Sequence, residues 1–186
     1  SASMTIIKHR IFATQDILNN KIAYPYLALK AEAVSLQFRL LIELIYVSGL
    51  VAQRTTLSKR LGKSTKSRRL KDIRSFFGAD LDQSFPYPYE DRGGIGTSKQ
   101  LHFPSRSISE LECYDFFNSL HPLLHQLNAF KETWQQREQR AVNILEIAPV
   151  RLEQIWLLMR NHYRYAPDVN GDVVGILCQL GDDPLS

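Results

Sequence analysis

Nine basic side chains crowd into the stretch from Arg54 to Arg74: Arg54, Lys59, Arg60, Lys63, Lys66, Arg68, Arg69, Lys71 and Arg74, opposed by the single acid Asp72. The whole chain has 23 basic and 19 acidic residues, a net charge of +4. The block alone is therefore eight charges positive, and everything else is four charges negative. Lysine and arginine at this density suit phosphate, because each cation that reaches one releases condensed counterions. The asymmetry points to a polyanion, with RNA or DNA backbone as the first reading. A solvated basic surface and a surface for an acidic protein partner are the other two.

Part of the block has a finer pattern. Thr56-Leu57-Ser58-Lys59-Arg60-Leu61-Gly62-Lys63-Ser64 is like the first helix and turn of a helix-turn-helix, with Ser67-Arg68-Arg69-Leu70 opening a second helix. Arginines there suit guanine edges and phosphates. Elsewhere, His121 and His125 stand four apart, which puts both rings on one helix face. The residues between them are Pro-Leu-Leu, so no general base follows the first histidine and no third ligand is set by spacing. No metal or cofactor is expected. The sequence has no Gly-x-Ser-x-Gly nucleophile turn, no phosphate-binding loop and no kinase signature. Cys113 and Cys178 lie far apart and read as reduced thiols rather than a disulfide or metal pair.

These groups need elements to hold them. At 186 residues, 44% hydrophobic and 10% aromatic, the chain is expected to form one folded domain over 4–186. Ser1-Ala2-Ser3 before Met4 reads as a tag remnant. No signal peptide is recognisable, and no uncharged apolar run reaches the roughly 18 residues that cross a bilayer. A cytoplasmic location without membrane contact is the expectation.

Thr5–Leu29 reads as partly helical, with a break at Pro25. From Lys30 to Gln53 the apolar spacing predicts a long central helix, with Ala31, Val34, Phe38, Leu41, Ile42, Ile45 and Val47 covering most of its wheel. Its polar residues Glu32, Ser35, Arg39 and Glu43 share one stripe. The basic segment predicts a short helix, a turn at Gly62-Lys63-Ser64 and a second helix through Phe77, so a basic helical segment over 54–77. Phe85-Pro86-Tyr87-Pro88-Tyr89 and Gly93-Gly94-Ile95-Gly96 read as loop. Ser107 or Ser109 caps a helix carrying Leu111, Tyr114, Phe116, Phe117 and Leu120. Separate helices are expected from about Lys131 to Ile147 and from Val150 to about Asn161, with Glu132, Arg137, Glu138 and Arg140 solvated and Trp134 and Trp156 anchoring the core. Alternation from His162 to Tyr165, the Asn170-Gly171 turn signal and the β-formers of 173–180 predict a terminal hairpin over about 162–180.

Three of these pieces together resemble HEPN-like helical proteins of bacteria. Glu32, Leu36-Gln37-Phe38-Arg39 and Glu43-Leu44 match the family's Glu, Leu-Gln-x-Arg and Glu-Leu steps on a long helix. Phe85-Pro86-Tyr87-Pro88 roughly matches its Phe/Tyr-Pro-x-Pro element. Leu124-His125-Gln126-Leu127-Asn128-Ala129-Phe130 matches Leu-His-x-x-Asn-Pro-Phe, with Ala129 in place of proline. The resemblance implies a mainly α fold, a HEPN-like helical bundle with a small C-terminal β-hairpin. It also implies homodimerisation and links to RNA, defence or toxin–antitoxin systems. Active members cleave RNA without metal, using an arginine followed four to six residues later by histidine, and no histidine here has that upstream arginine. A split catalytic set of Arg39, Glu43, His125 and Asn128 is what the resemblance leaves open. The leading expectation is a non-catalytic nucleic-acid-associated protein. The rivals are an RNA endonuclease and a module for an acidic protein.

Overall fold

The computed structural model describes residues 2–52, 70–77, 85–91, 101–102, 106–124, 133–167 and 173–180. Among them the chain is mainly helical, with a small antiparallel sheet built on the C-terminal hairpin. The helices are α1 (Ala2–Leu18), α2 (Leu27–Ala52), α3 (Leu70–Phe77), α4 (Glu110–Leu124) and α5 (Trp134–Arg160). The strands are β1 (Tyr87–Pro88), β2 (Glu90–Asp91), β3 (Leu101–His102), β4 (Asn161–Pro167) and β5 (Val173–Gln179). The chain divides into two compact units interleaved in sequence: Ser1–Ile42 with Ile108–Ile155, and Glu43–Ser107 with Trp156–Ser186.

The first unit is helical. Ala31, Val34, Phe38, Leu41 and Ile42 of α2 recur at three- and four-residue steps and are all fully buried. The Phe38 ring meets Phe116 of α4 edge-on, with centroids 5.0 Å apart. Local chemistry sets the helix ends. Asn20 takes a positive φ of 58° after α1, and Lys21 N–H donates back to the Asp16 carbonyl, the six-to-one bond of a left-handed helix stop. Ser109 caps α4: its Oγ accepts from Glu112 N–H, while the Glu112 carboxylate accepts from Ser109 N–H. Thr133 and Gln136 repeat this reciprocal box at the start of α5.

The second unit holds the sheet. β4 pairs antiparallel with β5 from Asn161↔Gln179 to Pro167↔Val173, and β1 adds to the free edge of β4 through Tyr87↔Tyr163 and Pro88↔His162. β2 and β3 form a separate two-stranded ladder. Tyr46 and Phe85 pack with centroids 5.5 Å apart, and Leu70, Tyr89, Leu158, Met159 and Leu180 are buried.

Several expectations need correction. α5 is one helix and does not break before Pro149. Ala141, Ile144, Ala148, Leu152 and Ile155 form one buried stripe that keeps its phase across the proline. Pro149 itself is exposed, so the hydrogen bond it removes lies on the solvent side of the helix, where its loss costs least. Tyr87-Pro88 is strand, not loop. Proline is tolerated there because β1 is an edge, where a missing donor leaves no ladder partner unsatisfied. Trp134 is 57% exposed: it is the first residue of α5 and follows the cap, before the buried stripe begins. Val47 and Leu111 also face outward. Among the described residues, no helix is long and apolar enough to cross a membrane.

Candidate functional site

α3 is the described end of the basic block. Leu70 is buried, while Lys71 is exposed and Arg74 half-buried. Lys71 and Arg74 are three apart and so neighbour each other on the helix surface. Asp72 sits in the first turn and Arg74 in the last, each on the side that the helix dipole favours. The apolar anchor leaves the Lys71 side chain in solvent. Arg54, Lys59, Arg60, Lys63, Lys66, Arg68 and Arg69, with the helix-turn-helix-like motif, lie outside the described residues.

The polar residues of the α2 stripe differ in their described surroundings. The Arg39 guanidinium lies over the Phe117 ring, 5.3 Å from its centroid, a cation–π contact within the helical unit. Glu43, one turn on, is half-buried. Ser35 is fully buried, and its Oγ has no hydrogen-bond partner among the described residues. Glu32 pairs instead with Arg137 of α5, Nη2 to Oε1 at 2.7 Å, and the same nitrogen donates to the Leu123 carbonyl at 2.9 Å. The solvated position expected for Arg137 is therefore corrected: the residue is only 7% exposed. Its sequence signal is its phase, since it stands one turn before Ala141 on the buried stripe of α5. Glu32 and Arg137 line a cleft of about 620 Å³ with Tyr24, Leu29, Ala33, Leu36, Leu123 and Leu124. His125 and Asn128 lie outside the described residues, so the split catalytic set is described only at Arg39 and Glu43. His121 is exposed.

The sheet reverses the usual sidedness of polar and aromatic residues. His162 and Arg164, two apart on β4, point inward and are 0% and 3% exposed. Arg164 donates to Ser48 Oγ at 2.8 Å and to the Ile45 carbonyl at 3.3 Å, and burial draws its guanidinium down to about 10. His162 Nδ1 lies 3.0 Å from the Met159 carbonyl, which fixes the neutral tautomer with Nδ1–H donating, while buried Nε2 has no partner among the described residues. Burial first, and the Arg164 charge second, lower His162 to about 4. The outward face carries Tyr87, Tyr163 and Tyr165. The Tyr87 and Tyr163 rings are stacked at 5.4 Å and 17°, and Tyr165 stands edge-on to Tyr163 at 5.2 Å.

The Cys113 thiol is fully buried and pushed far up by desolvation, which leaves it un-ionised and unreactive. His162 is neutral and enclosed. Among the described residues, no three His, Cys, Asp or Glu side chains gather as a metal site needs. Lys71 and Tyr165 are exposed, and Tyr87 and Tyr163 are half-buried. Comparison of the chain with protein-family models, with curated proteins and with solved structures finds no match.

Proposed function

We propose that this chain is a nucleic-acid-associated protein that holds RNA or DNA backbone through the basic segment from Arg54 to Arg74. One observation carries the reading: nine cations and one acid share that segment, on a chain whose remainder is net negative. The exposed Lys71 of α3, next to the buried Leu70, fits the role. The HEPN-like resemblance, with its links to RNA and to defence or toxin–antitoxin systems, supports the same class of partner. The binding is non-catalytic, with Arg39 serving to pack Phe117 rather than to steady a phosphate. The protein works in the cytoplasm, as the homodimer that the resemblance implies.

The test is binding to a fluorescent random oligonucleotide across a salt series. The logarithm of affinity should fall linearly with the logarithm of salt concentration, by roughly 0.7–0.9 for each phosphate contacted. Absence of binding at low salt, or affinity indifferent to salt, would overturn the reading. Equal competition by polyglutamate would favour an acidic protein partner instead.

A further inference from the structure

We infer that the outward face of the β1–β4–β5 sheet is a stacking platform for the bases of a single-stranded nucleic acid. This rests on the nucleic-acid reading above and narrows it to strands whose bases are unpaired. Tyr87 on β1 and Tyr163 on β4 are direct register partners, with Leu177 of β5 opposite Tyr163. Tyr165 follows Tyr163 on the same face, with Gly175 as its partner across the ladder. Tyr165 is 37% exposed and Leu177 54%. At Gly175 an added Cβ would meet nothing within 4 Å, so beside the Tyr165 ring the backbone forms an open floor. A flat base lies against a ring over such a floor, whereas a branched side chain there would hold it off.

Three features favour this occupant. The rings are already ordered against one another, by stacking at 5.4 Å and edge contacts at 5.2 and 6.0 Å, so little side-chain entropy remains to be lost on binding. The charge also matches. The unit that holds the sheet has 14 basic and 10 acidic residues and the other unit nine of each, so the tyrosine face shares a unit with the basic block, which carries +8 against −4 for the rest of that unit. Burial, then the hydrogen bond that Tyr163 donates to Tyr165, raises the Tyr163 hydroxyl to about 12, so this ring stays neutral beside a phosphate. Size is the third feature. Three strands about 4.8 Å apart and at most seven residues long present roughly 300 Å². A stable protein interface needs about 800 Å² from each partner. Two or three stacked bases fit such a sheet, as in other RNA-binding folds.

The test uses the full chain, a short fluorescent oligouridylate, and an abasic strand of equal length with the same phosphates. Wild type should bind the base-bearing strand the more tightly. Tyr165→Leu and Gly175→Val should each weaken that binding about 10-fold, leaving abasic binding and the salt slope unchanged. Tyr165→Phe should keep wild-type affinity. Gly175→Val decides the matter if Tyr165→Leu fails to fold, since the space above Gly175 is empty. Undiminished binding by the Gly175→Val variant overturns the platform. So does a wild type that binds both strands equally with a steep salt slope, which leaves the basic-segment reading standing. Base-dependent binding with a flat salt slope would sink that reading and keep the platform. A Gly175→Val change in the sedimentation of the free protein would assign the face to a second copy and overturn the platform.

Discussion

Arg137 on α5 donates a hydrogen bond to Glu32 on α2 at 2.7 Å, across 105 positions of sequence. The guanidinium side chain is 8% exposed and the carboxylate side chain 33%. Removing one member of a buried pair strands the other in low dielectric, at about 3–5 kcal/mol when both are enclosed. With Glu32 a third exposed, Glu32→Ala should cost less, about 2 kcal/mol in denaturant unfolding. The double replacement Glu32→Leu with Arg137→Met should recover most of that loss, because matched apolar groups leave no charge behind. A Glu32→Ala cost under about 0.5 kcal/mol would mean that the pair is as weak as a surface one.

That pair marks the boundary of what the sequence reveals. α2 is legible because its apolar positions repeat at helical spacing, and the α4 cap because Ser109 precedes Glu112 by three. The hairpin is legible because its alternation changes period to two. β1 is not: two prolines in five residues argue for loop, and only the partner strand β4 makes an edge position available. The inward Arg164 is likewise hidden, since its acceptors Ile45 and Ser48 lie 119 and 116 residues away. Of the candidate site, charge density is a local property and can be read directly. Which face of the sheet carries the tyrosines depends on what covers the other face.

Phe38→Ala removes a ring that is fully buried and edge-on to Phe116. The cost should be about 3–5 kcal/mol, transfer and cavity together. Equilibrium unfolding in urea checks it, and a cost below about 1 kcal/mol would place α2 outside the core.

His162 should make stability depend on pH. Its folded value is lowered from 6.5 to about 4, so between those values the unfolded chain binds a proton that the folded chain does not. Stability from this group is complete above pH 6.5 and declines as pH falls towards 4, by about 3 kcal/mol in total. His162→Leu removes the titrating ring. The stability difference between wild type and variant should therefore shift against wild type through that window. A difference that stays constant with pH would show that His162 protonates equally well folded and unfolded.

The central claim is that the basic segment meets phosphate. Its most direct measurement is the salt dependence of oligonucleotide binding by wild type and by a variant with Lys66, Arg68, Arg69 and Lys71 all changed to glutamine. The variant should bind more weakly, with a log–log slope shallower by roughly 0.7–0.9 for each phosphate it no longer neutralises. Thermal stability should hardly change, because solvated charges contribute little to folding. Unchanged affinity with an unchanged slope would contradict the account and remove this segment from the interface.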